Sequence, residues 1–281
     1  MTANDPRHDE LLALVNAAGF LFQARVEDEI FRTQAVHGKT ILAREHRWFS
    51  TGDQEEGFID LIISAGTNGK MVLECKRVRD ADWVFLLPHA ARDTHRVRVL
   101  WTRRFDQDTQ GAAWDEFNLE PPSLEAQFCV VRGHGEAQQP MLERIASNLL
   151  MATEALADEE LAYQRSVGHS GVRFYFPVLV TTATLQICRF QPGDVDLASG
   201  LLTQGVFNEV AFIRFTKSLS SGVTSSRVPS DLSEAARLSQ RTIFVVNSSH
   251  LTQFLSGRWE FGAPPGGTPS PWDLPRWNPA E

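Results

Sequence analysis

Two apolar runs, Gly57-Phe58-Ile59-Asp60-Leu61-Ile62-Ile63 and Met71-Val72-Leu73-Glu74-Cys75-Lys76, flank the turn residues Ala65-Gly66-Thr67-Asn68-Gly69. Their length and branched apolar content predict two strands, and the Asn-Gly pair predicts that they form a hairpin. Upstream the period changes. Phe22, Val26, Ile30 and Thr33 recur at helical spacing, which predicts a helix over residues 20–36 ended by His37-Gly38. A shorter helix opens at Asp5-Pro6, with Asp5 as N-cap, carries Leu11, Leu12, Leu14 and Val15, and closes at Gly19. Residues 40–48 read as a strand. The chain therefore opens with helices followed by three strands.

Further along the pattern is less regular. Val97, Val99 and Trp101 mark one strand-like run, and Phe128, Val130 and Val131 another. Between them residues 105–122, with Asp106, Asp108, Gly111, Pro121 and Pro122, read as loop. Residues 80–138 are expected to form an insertion on one side of the core. Pro140 opens a long helix to about residue 163, with Met141, Ile145, Leu149, Ala152 and Leu156 on one face. Residues 174–182 are continuously apolar, as in a strand buried on both faces. Strand, long helix and buried strand form the crossover that completes a sheet. Further strands are expected at 184–190, 207–215 and 242–246, with Ser248 or Ser249 capping a short helix to 255. The serine-rich stretch 218–233 reads as loop. Residues 262–281, rich in proline with Gly266-Gly267, read as a flexible or docking tail that Trp272 and Trp277 would hold to a surface. The expectation is one domain over residues 1–261 followed by that tail.

The hairpin carries the chemistry. Side chains alternate along a strand, so Glu74 and Lys76 share one face and Cys75 points to the other. Asp60 lies on the partner strand, thirteen residues separating it from Glu74. Carboxylates and a lysine on adjacent buried strands are costly unless they bind something, and a divalent cation supplies the reason. The bland alternative is a surface hairpin with an exposed Glu74–Lys76 pair. It is disfavoured because Ile59, Leu61, Ile62, Ile63, Val72 and Leu73 imply burial.

Asp60-x13-Glu74-x-Lys76 on a hairpin preceded by an amphipathic helix resembles the PD-(D/E)XK nuclease superfamily. Glu74-Cys75-Lys76-Arg77 after Gly57-x-x-Asp60 is most similar to its Mrr-like and Holliday-junction-resolvase-like branches. The resemblance covers residues 10–80, and no proline precedes Asp60. It implies a restriction-endonuclease-like α/β fold, with a mixed central sheet flanked by helices and extra strands from the insertion and the C-terminal half. It also implies metal-dependent phosphodiester hydrolysis in restriction, defence against foreign DNA, or repair. Mg²⁺ or Mn²⁺ would be held by Asp60 and Glu74, with the Cys75 carbonyl a third donor, and Lys76 would act near the attacking water. The superfamily usually adds an acid from the first core helix. Here Glu27 is the expected residue, Gln23 and Glu29 are alternates, and Glu45 on the first strand is a further candidate.

Composition narrows the picture. At 281 residues, 42% hydrophobic and 22% charged, the chain is of ordinary globular make-up. It has no run of ~18 apolar residues, and its polar N-terminus is unlike a secretory signal. Cys75, Cys129 and Cys188 read as reduced core thiols, and a cytoplasmic, non-membrane protein is expected. A net charge of −8 argues against sequence-blind nucleic-acid binding over the whole surface. A local basic run, Lys76, Arg77, Arg79, Arg92, His95, Arg96, Arg98, Arg103 and Arg104, is the candidate phosphate-binding face. Within it Arg77, Arg79, Arg96, Arg98, Arg103 and Arg104 are the expected DNA contacts, unless they pair with nearby acids. Trp83 and Trp101 either stack on bases or pack in the core. No His-Glu-x-x-His, Cys-x-x-Cys, Walker A loop or dinucleotide fingerprint occurs. The expected activity is thus a metal-dependent nuclease acting on DNA, with RNA as the other substrate class. The alternative is a nucleic-acid- or partner-binding module, alone, beside a partner protein or as a homodimer.

Overall fold

The computed structural model describes residues 6–50, 54–78, 81–104, 110–131, 141–219, 221–257 and 260–261. Asp5, Arg79, Pro140 and the 262–281 tail lie outside these. Helices α1 (Pro6–Ala17), α2 (Phe20–Arg32) and α3 (Gln34–His37) lead into β1 (Ile41–Ser50), β2 (Glu55–Ala65) and β3 (Gly69–Lys76). Strands β4 (Asp82–Pro88), β5 (Thr94–Arg104), β6 (Gln110–Ser123), β7 (Glu125–Ala126) and β8 (Phe128–Val131) precede the long helix α4 (Met141–Ser166). Then come β9 (Gly171–Thr181), β10 (Thr184–Phe190), β11 (Val206–Glu209), β12 (Phe212–Ser218), α5 (Leu232–Leu238), β13 (Gln240–Asn247), α6 (Leu251–Leu255) and β14 (Glu260–Phe261).

The protein is α/β, with a large mixed sheet flanked by helices. Its main path runs β1-β2-β3-β9-β13-β12-β7. β1, β2 and β3 are antiparallel neighbours, and β9 then joins β3 in parallel. The other edge of β9 is shared: Gly171–Tyr175 pair with β5, and Val178–Thr181 with β13. Helix α4 directly precedes β9, the usual way to connect parallel neighbours. β9 reads as continuously apolar because both its faces are covered. Tyr175 and Leu179 enter a core shared with Leu142, Ala146, Leu149 and Leu150 of α4. Phe174, Phe176, Val178 and Val180 enter a second core with Val26 and Ile30 of α2 and Leu251 and Phe254 of α6. A smaller sheet, β11-β10-β4-β8, continues from the ends of β3 and β9. No helix among the described residues is long and apolar enough to cross a membrane.

The hairpin turn spans Gly66-Thr67-Asn68 rather than two residues. Gly66 has φ 67°, and a Cβ at Gly69 would meet the Ala65 carbonyl oxygen at 2.2 Å. Both glycines are therefore required by the backbone.

Several expectations change. Residues 80–138 do not stand to one side: β5 and β6 extend the main sheet, while β4 and β8 build the smaller one. Most of the 105–122 "loop" is strand β6, paired with β5 from Arg104↔Gln110 onward. Its prolines sit near its end, where ladder donors are dispensable, and its aspartate at 115 is buried and bonded by Trp101 Nε1 at 2.9 Å. The expected strand 207–215 is two strands in different sheets, β11 and β12. Asn247, not a serine, caps the turn before α6, its side chain accepting from the Ser249 N–H at 2.9 Å. The 218–233 loop ends in α5, capped by Asp231 accepting from the Glu234 N–H. Leu11, Leu12, Leu14 and Val15 of α1 are all exposed. Trp83 and Trp101 are core residues, 0% and 4% exposed.

Candidate active site

The β2–β3 ladder stops at Leu61↔Leu73. One step further, Asp60 and Glu74 fall opposite each other. There the Cys75 N–H donates to Asp60 Oδ2 at 2.7 Å. A side-chain carboxylate thus takes a backbone donor as the strands part. Asp60, Glu74, Cys75, Lys76 and Arg77 line one cleft of about 330 Å³ with Ala17, Gly19, Phe20 and Gln23 from the α1–α2 corner. The cleft exists because α2 buries Val26 and Ile30 against the sheet while its N-terminal turn overhangs the end of the hairpin.

The electrostatics of this cleft are those of crowded acids. Burial raises the Glu74 carboxyl to about 7; Asp60 adds to the rise, Lys76 opposes it, and Glu45 contributes a little more. Burial also lifts Asp60 above the ordinary carboxylate range, against the hydrogen bond from the Cys75 N–H, with Glu45 again repelling. The Cys75 side chain is buried in the α2-side core and its thiol is held far from ionising, first by burial and then by Asp60 and Glu74. It contributes backbone, not sulfur.

Of the helix candidates, Gln23 reaches the cleft. Its side-chain amide donates to the Asp60 carbonyl at 3.3 Å and to the Glu45 carboxylate. Glu27 does not line the cleft; it pairs with Arg44. Glu29 is turned to Arg25, at 2.8 Å, and to Thr252 Oγ1, at 3.1 Å. The expected choice of Glu27 is therefore corrected. One turn separates it from Gln23, but only Gln23 sits at the overhanging end. Glu45 was visible only as a weak candidate, and what singles it out is conformational: φ 45° within a strand, in the left-handed region. That conformation costs a non-glycine residue on the order of 1–3 kcal/mol.

The arginine run is placed otherwise than expected. Arg98, Arg103 and Arg104 are 5%, 4% and 5% exposed. Arg103 lies over the Trp101 ring at 5.7 Å. Arg104 Nη1 donates to the Gln164 carbonyl at 3.0 Å and to that of His169. Arg98 is buried near Glu116. Arg96 is exposed and faces Glu116 at 3.6 Å. Strand alternation explains only part of this. Both faces of β5 are covered at its C-terminal half, so arginines of either parity are buried there. Arg77 remains exposed at the cleft, and Arg79 lies outside the described residues.

The residues fit a hard divalent cation. The donors are oxygens, and the Glu74 carboxyl, raised by burial and by Asp60, would be relieved by a positive charge between the two. No group of three or more His, Cys, Asp or Glu gathers around one point among the described residues. A larger cavity, about 780 Å³, opens between β1 and α4 and includes Glu154. Glu154 is already bonded by Trp114 Nε1 at 2.6 Å, the Gly222 N–H at 2.9 Å and Ser221 Oγ. Its carboxylate has a structural task, so size does not decide between the cavities. Comparison of the chain with protein-family models, curated proteins and solved structures returns no match.

Proposed function

We propose that the protein is a metal-dependent nuclease of PD-(D/E)XK type, hydrolysing phosphodiester bonds in DNA. The observation that carries this reading is the convergence of Asp60, Glu74 and Lys76 on one cleft at the parting end of the β2–β3 hairpin. The order of β-hairpin, α4 crossover and parallel β9 supports a restriction-endonuclease-like core. Asp60 and Glu74 would hold Mg²⁺ or Mn²⁺. Held there, such a cation would supply charge neutralisation at the scissile phosphate and activation of a water near neutral pH. Lys76, on the same strand face as Glu74, stabilises negative charge as it develops. The Cys75 N–H holds one Asp60 oxygen, which fixes the carboxylate before substrate arrives. Arg77, exposed at the cleft, is placed to meet a neighbouring phosphate.

The test is Mg²⁺-dependent cleavage of duplex, single-stranded and branched DNA and of RNA, by the parent and by Glu74→Ala. DNA should be cut by the parent only. Equal cutting by both proteins, or none by the parent, overturns the reading. A second reading has its own support. Three arginines of the basic run are buried, and α1, whose Ala17 lines the cleft, leaves Leu11, Leu12, Leu14 and Val15 exposed. On that reading a partner protein supplies the DNA contacts, and cleavage by the chain alone is weak.

A further inference from the structure

We propose that Gln23 and Glu45 act as a positioning clamp for Asp60, setting the backbone irregularity that turns its carboxylate onto the Cys75 N–H at the end of the hairpin. The clamp is a statement about this chain's geometry; its consequence for catalysis rests on the nuclease reading above.

Glu45 and Asp60 fall opposite each other between the pairs Arg44↔Leu61 and His46↔Ile59. On a regular strand, residues three or five apart face opposite sides. Yet Ile59 and Ile62 enter the same core, on the α4 side, while Leu61 and Ile63 enter the other. On β1, Ala43 and Trp48 also share the α4-side core, although five apart. Both strands therefore reverse their alternation around this one pair. Glu45 supplies the backbone means, with its φ of 45°. Gln23 ties the pair together, its side-chain amide donating to the Glu45 carboxylate and to the Asp60 main-chain carbonyl. Asp60 then reaches across to the Cys75 N–H, one residue past where the regular ladder would have continued. Without the reversal, Asp60 would lie on the face of Ile62 and Val72, beside Glu74 but on a strand still paired to β3; the reversal is what turns its carboxylate onto the Cys75 N–H. The strained residue, the bridging amide and the early end of the ladder are three views of one distortion.

A carboxylate is suited to the Glu45 position because it accepts the Gln23 N–H strongly. A neutral amide oxygen there still accepts, more weakly. This separates positioning from a need for charge. The readout is amide hydrogen exchange at Cys75, whose N–H is bonded to Asp60, measured on the protein without metal. Gln23→Ala and Glu45→Ala should each speed exchange at Cys75 by about tenfold, with Val178 and Val245 in the core unchanged. Glu45→Gln should keep most of the Cys75 protection. Glu45→Gly tests the backbone separately: a left-handed conformation is free for glycine, so the chain should fold as well as the parent yet lose Cys75 protection.

In the cleavage assay Gln23→Ala should lower kcat about tenfold or more with the KM for DNA little changed, because a misplaced carboxylate harms the chemical step. Unchanged exchange at Cys75 in both alanine variants overturns the clamp. Loss of protection in Glu45→Gln equal to that in Glu45→Ala also overturns it, since charge and not the hydrogen bond would then be at work. A parent that does not cut any nucleic acid sinks the nuclease reading, while the exchange result still decides the clamp.

Discussion

The acidic cleft and the arginine run are both charged residues set among apolar ones on strands, yet they are opposite kinds of structure. In the cleft the strands part, the carboxylates are largely buried, and the repulsion of Glu74 by Asp60 and Glu45 is opposed by Lys76. Along β5 the strand is covered on both sides, and the guanidinium groups of Arg103 and Arg104 are consumed within the fold: over a tryptophan ring, and on main-chain carbonyls of α4 and the turn after it. Arg214 repeats the pattern, fully buried, with Nη1 donating to the Thr94 and Arg96 carbonyls at 2.7 and 3.2 Å. Burial pushes its pKa down to about 10, which still leaves it charged. Unanswered charge at a strand end marks a site, whereas answered charge along a covered strand marks architecture.

The largest effect that sharpens this contrast is on catalysis. Glu74→Gln and Asp60→Asn should each lower Mg²⁺-dependent cleavage by about a thousandfold or more, with circular dichroism unchanged. A variant within tenfold of the parent would remove the cleft from the chemistry.

Next is the pH dependence of stability without metal. The Glu74 carboxyl is raised in the folded state, to about 7 from an ordinary 4.5, and Asp60 is raised as well. A raised carboxyl stabilises the fold fully below its unfolded value, and this contribution is lost as pH rises through its folded value. Thermal stability should therefore fall between pH 4.5 and about 7, by on the order of 3 kcal/mol from Glu74. Glu74→Gln should flatten that fall, and Mg²⁺ should restore the parent at pH 8. Melting curves across pH check all three; a parent whose melting temperature rises over this window contradicts them.

Arg104→Met should cost on the order of 2 kcal/mol, or roughly 4–8 °C in melting temperature, because the Gln164 and His169 carbonyls lose their donor. DNA affinity should be unchanged for the folded fraction. Loss of DNA binding with an unaltered melting temperature would reverse the comparison and return the run to the surface.

The smallest effects belong to the exposed arginines. Arg77→Ala should lower the log–log salt slope of DNA binding by roughly one unit with little change in stability. Arg96→Ala, whose charge faces Glu116, should move neither by much. Titration of labelled DNA at two salt concentrations distinguishes them.

The hairpin, the amphipathic α2, the α4 crossover and the doubly buried β9 were legible because each rests on a local period that its own residues set. Asp60, Glu74 and Lys76 were legible for a related reason: the hairpin register sets Asp60 opposite Glu74 and alternation puts Lys76 on the Glu74 face, while the turn of Asp60 onto the Cys75 N–H was not legible. β6 was not legible, because its glycine, prolines and acids carry loop signals that pairing with β5 overrides. The burial of Arg98, Arg103 and Arg104 depends on what covers β5, and only the packing of distant segments decides that. Gln23 rather than Glu27 reaches the cleft because the angle of α2 over the sheet, which no helical period encodes, selects one turn over the next. Glu45 depends on a reversed backbone that its side chain does not announce. Local periodicity thus determined the strands, the carboxylate pair and the lysine. The tertiary structure decided which other charges meet them and which are used up in holding the fold.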